Sequence, residues 1–439
     1  MEILIKASQF ILSLSFLIVL HELGHFIPAK IFKTRVEKFY LFFDYKFSLF
    51  KKKIGETVYG IGWIPLGGYV KIAGMIDESM DTEQLKQPAQ PWEFRSKPAW
   101  QRLIIMLGGV TVNFILGILI YIMITFVWGI NFVKPNDVKN GFAVNETFKE
   151  YGFKDGDKIL KFNGEEPEDV TDINKYLFLR DINSLEVLHE DGTVETINIP
   201  ENIGEIMWQN GIMEPFIPRV SPVIDTVVTN SPAEKAGLLK NDKIVAFNNK
   251  PISYWHEFTS SVVNSNDKEF TITLNRGNEN KNITLKAGND KKIGVAPNKE
   301  NDLNIQHKQY TFLESITIGN SLAIWTLKDY ITQFKYVFTK KGAKSIGGFI
   351  AIGNIFPPSW SWRAFWSITA FLSIMLGFMN LLPIPALDGG HVVFTLYEMV
   401  TGRKPNDKFL EYAQITGFII LIALLILANG NDIVKLFTK

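Results

Sequence analysis

The sequence predicts a multi-pass α-helical membrane protein of about four transmembrane helices, with two β-rich domains inserted between them. Uncharged apolar runs long enough to cross a bilayer lie toward the two ends of the chain. The region between them changes to short β-type runs broken by Gly, Asn, Asp and Pro. The 439 residues average a mean hydropathy of only +0.08, the value expected when strongly apolar spans are diluted by a hydrophilic middle.

The first run, Ile3–Leu20, is interrupted only by Lys6, Gln9 and small hydroxyls, and continues as a helix to about Ala29. Leu103–Trp128 and Ala364–Leu387 contain no charge, and Ile415–Ala428 is shorter but extends through Ala413 and Gln414. A hydrocarbon core of about 30 Å needs about 20 helical residues. Buried helices of a soluble protein are the alternative, and four such runs in one chain argue against it. A signal peptide is the alternative for the first run alone. Its positive residues (Lys30, Lys33, Arg35, Lys38) follow the apolar stretch and no small-residue cleavage pattern is present, so a retained helix fits better.

Basic residues orient the spans. Between Lys30 and Arg102 there are 13 Lys or Arg against 8 acids, including Lys51, Lys52 and Lys53, which places that loop in the cytoplasm. Arg403, Lys404 and Lys408 place the connection after the third span there too. The middle region, about 131–360, then falls on the outer face.

Forty-six basic against 45 acidic side chains give no general pull toward nucleic acid. The absence of cysteine excludes disulfides, thiolate-held metal and thiol catalysis. Any metal must be held by His, Asp or Glu.

Two stretches of the middle region read as copies of one unit. Gly152–Ile159 followed by Leu160–Gly164, and Gly237–Ile244 followed by Val245–Asn249, each give a helix-ending Gly, a turn with an Asp, a short strand and a two-residue hairpin turn. They resemble tandem PDZ domains. The second, with Ser231-Pro232-Ala233 leading into its helix, is the closer match. PDZ domains capture peptide ends or strands at a sheet edge; a plain spacer is the alternative. The Asn/Lys-rich tract Asn275–Asn304 reads as hairpin and linker. Residues 311–338 form an apolar face interrupted by Lys328, Asp329 and Lys335, as in an amphipathic helix on the outer membrane surface or one packed under the second β-rich domain. The domain boundaries are 1–130 (two transmembrane helices and the cytoplasmic β-loop), 131–215 and 216–297 (PDZ-like domains), 298–362 (linker and amphipathic surface helix) and 363–439 (two transmembrane helices).

Within the first span lies His21-Glu22-Leu23-Gly24-His25. Positions four apart share a helix face, so both imidazoles can hold one Zn²⁺ while Glu22 reaches the metal-bound water. Ionisable groups inside a transmembrane helix are costly and presumed functional. A third ligand must come from elsewhere, and the stretch Asn380–His391 is the best placed: Pro383 and Pro385 break the helical ladder there, and Gly389-Gly390 loosens the backbone beyond. His21 lies nine residues before Lys30 and Asp388 fifteen before Arg403. Both spans run outside to inside, so both sites sit in the cytoplasmic half.

HExxH in a first span, NxxPxPxLDGG in a third and PDZ-like domains between the second and third together resemble the site-2 protease family of intramembrane zinc metalloproteases, in its bacterial regulator-of-sigma-E protease form with tandem PDZ domains. The resemblance covers essentially the whole chain. It includes Gly60–Lys71, similar to the family's membrane-associated β-loop, although alternation with paired Gly implies by itself only a hairpin. It implies His21, His25 and Asp388 as zinc ligands, Glu22 as general base and Asn380 as a substrate-positioning or oxyanion-stabilising residue. Pro383, Pro385, Gly67 and Gly68 are expected to contact substrate. His391 is expected not to be a ligand, but to be structural or to support the ligands from just behind them. Many relatives carry Asn five positions before Asn380, where this chain has Met375. The implied partners are the lipid bilayer and single-pass membrane proteins already trimmed by another protease, such as anti-sigma factors or signal-peptide remnants, at the bacterial inner (cytoplasmic) membrane with the PDZ-like domains on the periplasmic side. A membrane-anchored PDZ scaffold without catalysis is the rival reading. In the second span Gly109, Asn113 and Gly117 recur every four residues, a small-residue face for close helix packing, with Asn113 hydrogen-bonding across helices.

Overall fold

The computed structural model describes residues 2–65, 67–75, 87–265, 268–277, 279–288 and 291–437. Leu66, in the expected β-loop, and Asn278, Asn289 and Asp290, in the Asn/Lys-rich tract, lie outside the described residues. The chain divides into two compact units: Met1–Gly129 with Gln309–Thr438, and Ile130–Lys308.

The first unit opens with α1 (Glu2–Ile31), which is helical through Pro28 and whose last turn carries Lys30, favourable against the helix dipole. Four strands follow: β1 (Val36–Leu41), β2 (Phe50–Ile54), β3 (Thr57–Ile61) and β4 (Tyr69–Ile72). They make one mixed sheet in the order β2-β3-β1-β4. Here the structure departs from the sequence reading. Gly60–Lys71 is not a simple hairpin, because β3 and β4 do not pair with each other; β1 lies between them, parallel to β3 and antiparallel to β4. Gly62 makes this possible, since a β-carbon there would overlap the backbone carbonyl of Phe43. The sheet then leads to α2 (Ala99–Trp128). Val36 of β1 and Val70 and Ile72 of β4 pack with Ala29 of α1 and Ile105 and Met106 of α2. Each large buried side chain contributes about 1.5–3 kcal/mol, enough to fix the sheet against the helix pair.

The second unit contains β5 (Ile130–Phe132), β6 (Phe142–Val144), α3 (Glu146–Lys149), β7 (Lys158–Phe162), α4 (Ile173–Leu179), β8 (Ser184–Leu188), β9 (Val194–Asn198), α5 (Ile203–Asn210) and β10 (Phe216–Pro218). It continues with β11 (Ile224–Val227), α6 (Pro232–Lys235), β12 (Lys243–Phe247), β13 (Lys250–Pro251), α7 (Trp255–Val263), β14 (Phe270–Arg276), β15 (Glu279–Leu285), β16 (Val295–Pro297) and β17 (Gln306–Lys308). The sheets are β7-β8-β9 and β13-β12-β14-β15, with two-stranded pairs β6/β10, β11/β16 and β5/β17.

The two similar stretches fold alike. Gly152 and Gly237 both take positive φ, as do the turn pairs Asn163-Gly164 and Asn248-Asn249. Asp157 and Asp242 are both buried, and each accepts a backbone N–H three residues earlier, from Lys154 and Leu239 respectively, at 2.8 Å.

The chain then returns to the first unit. α8 (Phe312–Val337), capped by Thr311 and Glu314, packs along α2, with Ser315, Gly319 and Ala323 buried and Gly319 set against the backbone of Ile122. A helix is thus present within 311–338, and its small-residue face packs on α2, a contact that neither expected placement included. After α9 (Lys340–Ser345) and α10 (Phe349–Gly353) comes α11 (Trp362–Leu381), which stops short of the Leu387 at which the third apolar run ends. Pro383 and Pro385 interrupt it, Ala386 takes φ +80, and the helix resumes as α12 (Asp388–Thr401). Gly389 and Gly390 do not loosen this segment. They lie in the first turn of α12, and β-carbons there would overlap the carbonyl oxygens of Leu382 and Ile384, so they permit a tight return of the chain. The last helix, α13 (Asp407–Phe437), is largely exposed but closes on the broken segment at Gly417, where a β-carbon would overlap the carbonyl of Pro385.

Among the described residues four helices are long and apolar enough to cross a membrane: α1, α2, α11 and α13. Their outward side chains, such as Leu4 and Ile11 on α1 and Ile419 and Ile426 on α13, are exposed apolar surface, which lipid can cover.

Candidate metal centre

α1 delivers His21 and His25 one turn apart, and the helical restart after the proline break delivers Asp388. Nε2 of His21 lies 3.3 Å from Nε2 of His25 and 3.4 Å from Oδ2 of Asp388; Nε2 of His25 lies 3.3 Å from the same oxygen. Donor atoms about 2.0–2.1 Å from a tetrahedral zinc ion are about 3.3–3.4 Å from one another. The three separations therefore match three corners of a zinc tetrahedron. Asp388 Oδ2 is buried and has no hydrogen-bond partner, leaving a lone pair free. Nδ1 of His25 donates to the carbonyl oxygen of Ile105 at 2.8 Å, which puts the proton on Nδ1 and frees Nε2 to coordinate. The donor set of two imidazoles and one carboxylate, with a fourth position open, could hold a catalytic zinc ion.

The open side is a cavity of about 480 Å³ whose wall includes Glu22, Gly68, Asn380, His391 and Gln414. Gly68 is there because α1 and the sheet meet at it: a β-carbon would come 2.5 Å from Ile18 and 2.7 Å from the carbonyl of Tyr40. The side-chain amide of Asn380 reaches to 3.4 Å from Nε2 of His21. β4 is an edge strand of its sheet, and its residues Tyr69–Ile72 form one wall of the cavity. Lys38 Nζ donates to Tyr69 Oη, and Tyr69 Oη donates to Asp44, so the polar wall is internally paired.

Of the residues singled out from sequence, the structure gathers His21, Glu22, His25, Asp388, Asn380 and Gly68 at one cavity. Gly67 stands beside the Phe43 ring and, like Pro383 and Pro385, is not part of the cavity wall. His391 is in the wall but outside the ligand triangle. Met375 packs with Leu17, Phe356, Phe365 and Leu372, so an apolar contact occupies the place of the second Asn.

Three participants were missed. The Ile105 carbonyl is backbone and has no sequence signal. Gln414 is a buried polar residue near the start of the fourth run; its Oε1 accepts the N–H of Ala386 at 3.2 Å. Gly109 was read only as a packing residue, whereas a β-carbon there would collide with both imidazoles.

A family model described as peptidase family M50 matches residues 9–424. The chain belongs to peptidase family M50. Relatives agree along nearly the whole length. The regulator of sigma E protease of Haemophilus influenzae is 30% identical, over 99% of this chain and 100% of its own. The regulator of sigma-E protease RseP of Escherichia coli is 27% identical, over 98% of each chain. A candidate zinc metalloprotease of Neisseria meningitidis is 26% identical, over 97% of this chain and 98% of its own. This M50 chain is accordingly a zinc metalloprotease, and four of its described helices are of bilayer length.

Proposed function

We propose that this M50 peptidase is an intramembrane protease that hydrolyses peptide bonds within or near the transmembrane segments of single-pass membrane proteins. The observation that carries the reading is the convergence of His21, Glu22, His25 and Asp388 on one cavity within a unit of bilayer-length helices.

His21, His25 and Asp388 would hold the metal. Zinc, when bound, polarises the scissile carbonyl and lowers the pKa of water toward neutrality. Glu22 takes the proton of the attacking water and passes it to the leaving amine. Asn380 donates its amide to the substrate carbonyl as negative charge develops there. Helical carbonyls are already hydrogen-bonded, so substrate must unwind, and β4, an edge strand that lines the cavity, can receive it as an added strand. Gly68 lies on that approach, whereas Gly67, Pro383 and Pro385 stand outside the cavity wall and would meet only parts of the substrate that extend beyond it.

The second unit, as PDZ-like domains at 131–215 and 216–297 on the periplasmic face of a bacterial inner membrane, would admit only targets whose outer domains have been removed. Substrates are then single-pass stubs left by another protease. Anti-sigma factors in envelope stress signalling suit this description, because two relatives are named for regulating sigma E; signal-peptide remnants suit it as well.

The test is co-expression of a tagged single-pass substrate with the wild type or Glu22→Gln. The variant should insert normally and accumulate uncleaved stub. Cleavage at the wild-type rate by Glu22→Gln would overturn the assignment. A purified protein with neither zinc nor cleavage would instead identify a membrane-anchored PDZ scaffold.

A further inference from the structure

One residue beside the metal triangle has no role in the chemistry above. Asn113 is fully buried in the middle of α2. Its side-chain amide approaches Nδ1 of His21 to 3.0 Å, while its Oδ1 has no hydrogen-bond partner. Ser373 of α11 donates to the Asn113 backbone carbonyl at 2.7 Å, which fixes α2 against α11 at this residue.

Neutral imidazole carries one proton, and a histidine that coordinates through Nε2 must carry it on Nδ1. That N–H then needs an acceptor. The amide of Asn113 offers Nδ2 or Oδ1 at the same place, the two exchanging by a half-turn about χ2 without change of shape. A donating Nδ2–H would force the His21 proton onto Nε2, facing Asp388 and blocking coordination. Oδ1 in that position accepts Nδ1–H and leaves the Nε2 lone pair free.

α2 does the same for the other imidazole by different means. Ile105, Gly109 and Asn113 are spaced by four and share one helix face. The Ile105 carbonyl accepts Nδ1–H of His25, Gly109 clears the space for both rings, and Asn113 reaches His21.

We propose that Asn113 is a positioning residue for the metal: its Oδ1 accepts the Nδ1 proton of His21 and so sets the tautomer in which His21 binds zinc. The proposal rests on the assignment of His21 as a ligand. Loss of such an outer partner commonly weakens metal binding by about 10–100-fold.

The test measures zinc affinity of the full-length protein in detergent by chelator competition. Asn113→Leu, close in size but without an acceptor, should bind zinc about 10–100-fold more weakly. Asn113→Asp, whose carboxylate can only accept, should bind zinc clearly more tightly than Asn113→Leu and recover most of the wild-type affinity. Nitrogen NMR of the zinc-loaded wild type, labelled at histidine, should show a proton on Nδ1 of His21, a measurement that stands even if Asn113→Leu does not fold. Wild-type affinity in Asn113→Leu, an Asp variant as weak as the Leu variant, or a proton on Nε2 would each overturn the proposal. His21→Ala separates the two levels. If it keeps wild-type zinc affinity, the ligand assignment fails and Asn113's role with it. If it loses zinc while Asn113→Leu does not, only the role of Asn113 fails.

Discussion

Gly24 and Gly108 face each other where α1 crosses α2, backbone against backbone: a β-carbon on Gly24 would come 2.5 Å from the carbonyl oxygen of Gly108, and one on Gly108 would overlap that of Gly24. Gly24 lies inside the HExxH motif. A position that the motif leaves open therefore sets how close α2 comes to the two imidazoles.

Gly24→Ala or Gly108→Ala should push the helices apart at the metal centre. Overpacking of this kind costs about 1–3 kcal/mol, and the His25 bond to the Ile105 carbonyl would lengthen with it. Both variants should melt at lower temperature and retain less zinc after dialysis. Unchanged zinc content in both would show that the crossing does not govern the site.

Asn380→Ala should separate binding of metal from catalysis. If the amide acts on the developing oxyanion, turnover should fall by about 10²–10³, while zinc content stays at the wild-type level. Zinc loss parallel to the loss of turnover would place Asn380 among the groups that support His21 instead.

Gln414 holds the broken segment through the N–H of Ala386, two residues before Asp388. Gln414→Met leaves that partly buried donor without its side-chain acceptor, at a cost toward the lower end of about 1–3 kcal/mol, and should lower the cleavage rate. Gln414→Glu retains an acceptor and should retain more of the rate. Equal rates in Gln414→Met and the wild type would remove Gln414 from the support of the ligand loop.

In the second unit, Nδ1 of His189 lies 2.7 Å from Asp157 and Nε2 lies 3.1 Å from Glu195. The bond to Asp157, helped by Glu195, raises the imidazole above its ordinary value near 6.5 against the opposing effect of burial. A raised native pKa means that protonation stabilises the fold. This contribution is complete below the unfolded value near 6.5 and is lost as pH climbs through the raised native value. Amide exchange of residues 142–162 in the intact protein, corrected for intrinsic rate, should therefore quicken with rising pH in that window. His189→Gln should abolish the dependence. At the equivalent place Asp242 is held by Arg276, with bonds of 2.7 Å to both carboxylate oxygens, and Arg does not titrate there. Residues 224–247 should exchange without this pH response.

Much of the metal centre was legible in the sequence because its signals are local. HExxH places two candidate ligands on one helix face by periodicity alone, and the two prolines mark where the third apolar run must break. The turn pairs Asn163-Gly164 and Asn248-Asn249 were equally readable, since their residue types suit positive φ. Non-local features were not. Alternation in Gly60–Lys71 identified strand but could not reveal that β1 would enter between β3 and β4, because pairing is decided by a segment some twenty residues away. The spacing of Gly109 and Asn113 indicated a packing face, whereas their relation to His21 and His25 appears only once α2 is laid on α1. The amphipathic pattern at 311–338 gave a helix, but the residues that seat it on α2 are the small ones, Ser315, Gly319 and Ala323, which carry little hydrophobic signal.

The contact of Gly417 with Pro385 ties α13, the least buried of the four bilayer-length helices among the described residues, to the segment that presents Asp388. A transmembrane helix answers a change in bilayer thickness by tilting, and tilt of α13 would be transmitted at that contact. Lipid chain length thereby becomes a variable of the catalytic rate, with its effect abolished in a variant whose α13 no longer touches the segment. Reconstitution in vesicles of graded acyl length measures it directly, and a rate independent of thickness would mean that the loop holds its shape alone.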